Sequence, residues 1–301
     1  DSGADFIEAF TVLIKRLAVD RLHIVGDFFD RGKRPDAILN LLMSHPAVDI
    51  QWGNHDVLWM GAALGSEVCI ATVVRNSLRY NNTDVLERGY GISLRELSTF
   101  AAHIYPDENP IKAAERAITM IMFKLEGNLI KRNPDFQMDS RLLLEKIDFR
   151  SSYAVLGNDK RYELENAYFP TLDDNGDDPY LLTAKEQEII NDLKSYFLES
   201  AVLKQHIAYL YQKGSIYTRC NGNLLFHGCV LLDKTGKLRE INYSGRTYKG
   251  RDWFDFCDSM ARSAYLYGGQ QALDFMYFLW CGRLSPLSGR EFKTFERALL
   301  S

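Results

Sequence analysis

In this 301-residue chain the side chains best suited to chemistry gather at the ends of apolar runs. Leu22-His23-Ile24-Val25 leads into Gly26-Asp27-Phe28-Phe29-Asp30-Arg31-Gly32. Val48, Ile50 and Trp52, alternating with Asp49 and Gln51, lead into Gly53-Asn54-His55-Asp56. A later run, Leu224-Leu225-Phe226, ends at His227-Gly228. Carboxylates, an amide and imidazoles are metal-competent groups. A parallel pair of strands would bring the first two clusters to one sheet edge, where ligands of open α/β sheets bind.

The elements that must position these groups are legible in outline. Phe6, Ala9, Phe10, Leu13, Ile14 and Leu17 recur at helical spacing and predict an amphipathic helix over 5–18. Pro35 suits the first turn of a helix whose buried face is Ile38, Leu41 and Leu42 and which ends before Pro46. The order helix, strand, helix, strand implies a βαβ unit with a right-handed crossover. From Gly61 to Gly214 almost every segment reads helical. Ser93 with Glu96 forms a capping-box pattern before a helix from Leu94 to Ile104. Asn109-Pro110 opens a helix to about Arg132, and Thr183 with Glu186 opens one running to Lys213. Asp173-Asp174-Asn175-Gly176-Asp177-Asp178 lacks the glycine offset of a calcium loop and reads as a solvated acidic turn. Strand character returns at Ser215, with Asn221-Gly222 as a hairpin turn between Ile216–Arg219 and Leu224–Phe226. The stretch 250–268 is mixed, 271–281 an apolar helix, 282–289 a loop, and a short helix follows. The predicted fold is α/β: residues 1–60 and 215–301 form one layered core, and 61–214 a helical cap inserted into it.

Composition narrows the class. Hydrophobic residues at 46% and charged residues at 25% are those of a globular protein with a sizeable core. Basic residues number 36 against 40 acidic, a net charge of -4, and form no run; this argues against a nucleic-acid partner. Five cysteines, none in a C-x-x-C pair, read as reduced thiols of a cytoplasmic protein. No apolar run approaches the roughly 20 residues that span a bilayer, and no leader pattern opens the chain. The sequence leaves homo-oligomer formation open.

The two motifs around Asp27 and Asn54 resemble the second and third signature blocks of the calcineurin-like metallophosphoesterases. Gly53 to Ala63, Leu225-Phe226-His227-Gly228-Cys229, Trp280-Cys281-Gly282, Ser285-Pro286-Leu287 and Thr294-Phe295-Glu296-Arg297 are similar to the class III fructose-1,6-bisphosphatases. The resemblance implies a metallophosphoesterase core and hydrolysis of the 1-phosphate of fructose 1,6-bisphosphate, a gluconeogenic step. It also implies two divalent ions, manganese or magnesium, about 3.5–4 Å apart. On it, Asp27 is the bridging metal ligand and Asn54 and His227 ligate the second ion. His55 is the general acid with Asp56 as its orienter, Arg31 clamps phosphate, and Asp30 orients its neighbours. Lys249 and Arg251, with Lys33, Arg34 and Arg246, are candidates for a second phosphate. His23 and His45 read as structural, and His103 and His206 as surface or packing residues. The family's D-x-H block before Asp27 and its later G-H block are not in this sequence, which reads as a core cut at both ends. The rival readings are a protein serine/threonine phosphatase, a dinucleotide polyphosphatase, or a folded fragment without activity.

Overall fold

The first two apolar runs form neighbouring parallel strands in the computed structural model, which describes residues 2–18, 21–45, 47–148, 152–156, 160–164, 168–172 and 178–289. The chain opens with α1 (Ser2–Ala18), β1 (Leu22–Ile24), α2 (Pro35–Met43), β2 (Val48–Gln51) and α3 (Asn54–Ala63). It continues with α4 (Glu67–Arg79), α5 (Arg95–Ile104), α6 (Pro110–Arg132), β3 (Ile147–Asp148), β4 (Tyr153–Leu156) and β5 (Lys160–Glu163). After α7 (Ala184–Glu199) and α8 (Ala201–Lys213) come β6 (Gly214–Ser215), β7 (Tyr217–Cys220) and β8 (Asn223–Phe226). The last described elements are β9 (Glu240–Tyr243), β10 (Arg246–Lys249), α9 (Arg251–Leu266) and α10 (Gln270–Cys281). No described helix is long and apolar enough to cross a membrane.

The fold is mixed α/β. β1 and β2 pair in parallel, with Leu22 opposite Val48 and Ile24 opposite Ile50. β6 adds to the other edge of β2, again in parallel. The expected hairpin is β7–β8, turning at Asn221 and Gly222, both with positive φ as a two-residue turn of this hand requires.

Several expectations shift for physical reasons. The buried face of α2 is Pro35, Leu39 and Leu42, while Ile38 and Leu41 lie 46% and 71% exposed. Helix α8 sets that rotation: His206 Nε2 meets Asn40 Oδ1 at 3.0 Å, and the Tyr209 hydroxyl donates to the Leu42 carbonyl at 2.9 Å. The apolar face of α1 is exposed, Phe6, Phe10, Leu13, Ile14 and Leu17 among it. The single helix expected from Thr183 to Lys213 breaks at Ser200, whose hydroxyl donates to the Tyr90 carbonyl at 2.6 Å and caps α8 at Leu203 N. The capping box at Thr183 and Glu186 and the cap at Asn109 form as the residue types dictate. Ser93 Oγ accepts from Arg95 N, so α5 begins one residue later than expected. Within the helical stretch, β3–β5 form a small antiparallel meander, and the mixed segment after Gly250 is the continuous helix α9. The acidic turn at 173–177, Pro46 and the helix after Gly289 lie outside the described residues.

The helical stretch does not have a core of its own. Buried side chains from Phe28 to Leu287 form one continuous cluster. Helix α3, which carries Asn54 and His55, packs against both α4 and α10. Ion pairs are buried inside this layer. Lys124 Nζ, on α6, donates to Glu186 Oε2 at 2.7 Å, with both side chains about 1% exposed. Arg141 pairs with Glu126, which also accepts from the Tyr277 hydroxyl on α10. Deleting one member of such a pair leaves an uncompensated buried charge. Lys124→Met should therefore destabilise the fold by about 3–5 kcal/mol, read as a lowered urea midpoint; a variant as stable as the parent would show the pair is dispensable.

Candidate active site

The site is built where the loops after β1 and β2 touch. Gly26 and Asp27 both take positive φ, +81° and +59°, and turn the chain sharply at the end of β1. A Cβ on Gly26 would lie 2.3 Å from the Gln51 carbonyl oxygen and 2.5 Å from Gly53 N. One on Gly53 would lie 2.0 Å from Asp27 Oδ1. Only glycine at both positions lets the loops approach this closely.

A single carboxylate holds them there. Asp56, fully buried in the first turn of α3, accepts through Oδ2 from Asp27 N at 2.8 Å and Gly53 N at 2.9 Å. Its Oδ1 accepts from Phe28 N at 2.9 Å. Burial pushes the pKa of Asp56 up to about 7, against the opposing pull of these N–H donors. This corrects the reading of Asp56 as the orienter of His55: both its oxygens are engaged by backbone. The carboxylate beside His55 is Asp30, whose Oδ1 lies 3.1 Å from His55 Nε2.

Around this clamp the other predicted residues converge. Asp27 Oδ1 accepts from His55 N at 3.2 Å, and Asp27 Oδ2 lies 3.3 Å from His227 Nε2. His227 Nδ1 donates to the Val25 carbonyl at 2.6 Å, which turns Nε2 toward Asp27. The hydrogen bond that His227 donates to Asp27 raises its pKa to about 9, against burial. For Asp27, burial acts upward, but the hydrogen bond and charge of His227 prevail and its pKa falls. Burial pulls His55 below its usual value, with Asp30 and Asp27 acting the other way. Asn54 is buried, and its Nδ2 donates to the Trp280 carbonyl at 3.3 Å. Arg31, with its side chain 65% exposed, reaches Asp30 Oδ1 at 3.3 Å and lies over the Tyr80 ring.

Three of the candidate second-phosphate cations have acidic partners of their own. Lys249 pairs with Glu240, and Arg251 with Asp255 and the Tyr217 hydroxyl. Arg34 makes a fork to Asp36, and Arg246 stands at the turn-proximal end of β10. Lys33 and Arg34 line a groove with Asn82 and Arg88. Asp49 holds His23, and Tyr90 with Asn40 satisfies the buried His206. The sequence reading assigned no role to Trp280. Its ring packs edge-on against His55, with centroids 4.6 Å apart, and its carbonyl holds Asn54. The signal available was the Trp280-Cys281-Gly282 motif, whose partner could not be read from spacing. Asn76 and Ser77 from α4 and Tyr80, which caps its C-terminus, line a narrow crevice with Asp30 and His55.

As donors, the cluster offers a carboxylate, an imidazole nitrogen and an amide. Among the described residues, no three His, Cys, Asp or Glu side chains gather into a metal-holding group. Asp27 and His227 with the amide oxygen of Asn54 thus fall short of the two-ion ligand set.

Residues 1–301 match the family described as Firmicute fructose-1,6-bisphosphatase. The class 3 fructose-1,6-bisphosphatase of Clostridium botulinum strain Langeland is 43% identical over 100% of this chain and 48% of its own length. A class 3 enzyme of Clostridium beijerinckii is 43% identical over 97% of this chain and 47% of its own. The chain therefore spans about half the length of the curated relatives it matches. No solved structure matches it.

The clamp predicts its own signature. Asp56→Asn replaces one acceptor oxygen by an N–H2, so a buried backbone N–H loses its partner at a cost of about 1–3 kcal/mol. The melting temperature should fall accordingly, and unchanged melting would mean that the loops are held by other contacts.

Proposed function

The chain belongs to the Firmicute fructose-1,6-bisphosphatase family, and from that premise we propose that this site hydrolyses the 1-phosphate of fructose 1,6-bisphosphate, giving fructose 6-phosphate and phosphate. One observation carries the reading: Asp27 and His227 meet at 3.3 Å with His227 Nδ1 tied to the Val25 carbonyl. A metal-binding histidine commonly donates its second ring N–H to a backbone carbonyl in this way, which fixes the tautomer and points the other nitrogen at the ion. This pair offers a carboxylate oxygen and an imidazole nitrogen to a divalent cation.

The donor chemistry fits one ion held by Asp27, His227 and the amide oxygen of Asn54. Oxygen donors with one imidazole suit manganese or magnesium better than a thiophilic metal. The two-ion centre of the family reading needs donors beyond these three. When bound, such an ion neutralises phosphate charge and activates the attacking water.

The chain's own residues supply the rest. Arg31 is exposed enough to reach an incoming phosphate with its planar fork, while Asp30 and the Tyr80 ring hold it near the cluster. His55 donates a proton to the leaving sugar oxygen. Asp30 accepts from His55 Nε2, so in the doubly protonated ring the Nδ1 proton would be the one given up. We read 61–214 as an insertion that walls this side of the site, since Asn76, Ser77 and Tyr80 border the crevice beside His55. Such a wall suits a small sugar phosphate better than a folded phosphoprotein.

Phosphate release from fructose 1,6-bisphosphate, a phosphopeptide and a dinucleotide polyphosphate, each with manganese and with chelator, tests the assignment. Preference for either of the latter two would overturn it. In a protein of the relatives' full length, His55→Ala should lower kcat by about 10²–10⁴-fold with little change in KM. An effect confined to KM would remove His55 from proton transfer. Asp27→Asn should weaken manganese binding by at least about tenfold, measured by calorimetric titration; undiminished affinity would exclude Asp27 as a ligand.

A further inference from the structure

Asn54 and His55 open α3 just after β2, and His227 follows the end of β8, more than 170 residues later in the chain. Their spacing decides whether they can share one ion, yet β8 is hydrogen-bonded to β7 in a separate two-stranded sheet. Asp27, which meets both His55 N and His227 Nε2, and the His227–Val25 contact link these groups at the end of β1, but no strand pairing joins β8 to the parallel sheet among the described residues.

The segment 280–287 touches both sides. At one end the Trp280 carbonyl accepts from Asn54 Nδ2, and the Trp280 ring lies edge-on to His55. At the other end the Pro286 carbonyl accepts from Cys229 N at 2.8 Å. A Cβ on Gly228 would lie 2.2 Å from that same Pro286 oxygen, so the backbones are in direct contact beside His227.

Between its ends the segment is rigid. Gly282 N donates to the Phe278 carbonyl at 2.7 Å and Ser285 N to the Gly282 carbonyl at 3.0 Å. The Ser285 hydroxyl, fully buried, donates to the Leu279 carbonyl at 2.7 Å and accepts from Leu287 N at 3.1 Å. The Trp253 indole N–H, from α9, donates to the Leu284 carbonyl at 2.8 Å. A buried loop whose polar groups are paired in this way has few alternative conformations.

We propose that residues 280–287 form a brace that sets the distance between the Asn54–His55 corner and His227, with Trp280 as its positioning residue. The proposal rests on the metal-site reading above. The brace acts on Asn54 through the Trp280 carbonyl and on His55 through the ring edge. Ring shape, not only apolar volume, holds the contact. Trp280 acts on the chemistry through Asn54 and His55.

The test compares Trp280→Phe with Trp280→Leu in the full-length protein, each checked for folding by circular dichroism. Manganese affinity is read by calorimetric titration of the metal-free protein, and kcat and KM by phosphate release. Trp280→Leu should weaken manganese binding and lower kcat by about tenfold or more, the usual range for residues that orient metal ligands, with KM within about twofold. Trp280→Phe should restore both to within about threefold. Equal manganese affinity in the two variants overturns the brace, whatever happens to turnover. Should Trp280→Leu not fold, Gly228→Ala reads the same brace from its other end: it must push Pro286 away and weaken manganese binding, and unaltered affinity sinks the proposal. A parent protein that binds manganese but leaves fructose 1,6-bisphosphate intact would defeat the substrate assignment, while the brace would still be judged on affinity.

Discussion

Everything at this site depends on one buried carboxylate accepting hydrogen bonds from two loops that meet at the end of a parallel sheet. Asp56 takes Asp27 N, Phe28 N and Gly53 N. A hydrogen bond to a charged group contributes about 1.5–3 kcal/mol. Three of them offset only part of the desolvation of the carboxylate, whose pKa still rises to about 7. The consequence is geometric. With Asp27 N and Gly53 N on the same oxygen, the Asp27 side chain projects beside α3, where His55 N meets its Oδ1.

That arrangement also holds a strained residue. Asp27 has φ +59°, a left-handed conformation that costs a non-glycine residue roughly 1–2 kcal/mol. Aspartate tolerates it better than most because its short polar side chain can bond locally. Here the strain is confined by contacts on both sides of the residue: Asp56 takes its N–H, and His55 N and His227 take its oxygens. A strained residue at a candidate catalytic position, held by its surroundings, is the usual sign of a group oriented in advance.

The sequence disclosed the parts of the site that depend on short spacing. Gly26 to Gly32 and Gly53 to Asp56 are contiguous, so their placement at the ends of β1 and β2 follows from two apolar runs. It did not disclose the function of each group within them. Asp56 follows His55 directly while Asp30 stands in the other motif, and which one meets the imidazole depends on where α3 starts. Because Asn54 opens the helix, Asp56 falls in its first turn and points back at Gly53 N, leaving Asp30 for the imidazole. Trp280 was out of reach for another reason, since its contacts span more than 220 residues of sequence. The meander β3–β5 and the hairpin β9–β10 were missed because their strands have only two to four residues, too few to show a period.

The helical stretch between Gly61 and Gly214 bears on the site through the core it shares with α3 and α10. Helix α3 begins with Asn54 and His55 and then runs as an almost wholly buried rod from Asp56 to Ala63. It packs against both α4 and α10, and Trp280 near the end of α10 contacts Asn54 and His55. Gly61 sits at that junction: a Cβ there would lie 2.8 Å from Cys69 Sγ on α4 and 2.9 Å from Met276 Cβ on α10. The three helices thus approach at close-packed distances, where shifting one rod displaces the others. Polar anchors in the same layer, Glu126 with Arg141 and Tyr277, and Asp274 with Arg132, pin α10 lengthwise. A helix fixed both across and along its axis can hold a carbonyl at a set distance from Asn54. This helical stretch therefore bears on the site in two ways, by bordering the crevice beside His55 and by fixing the helices that carry or face Asn54 and His55.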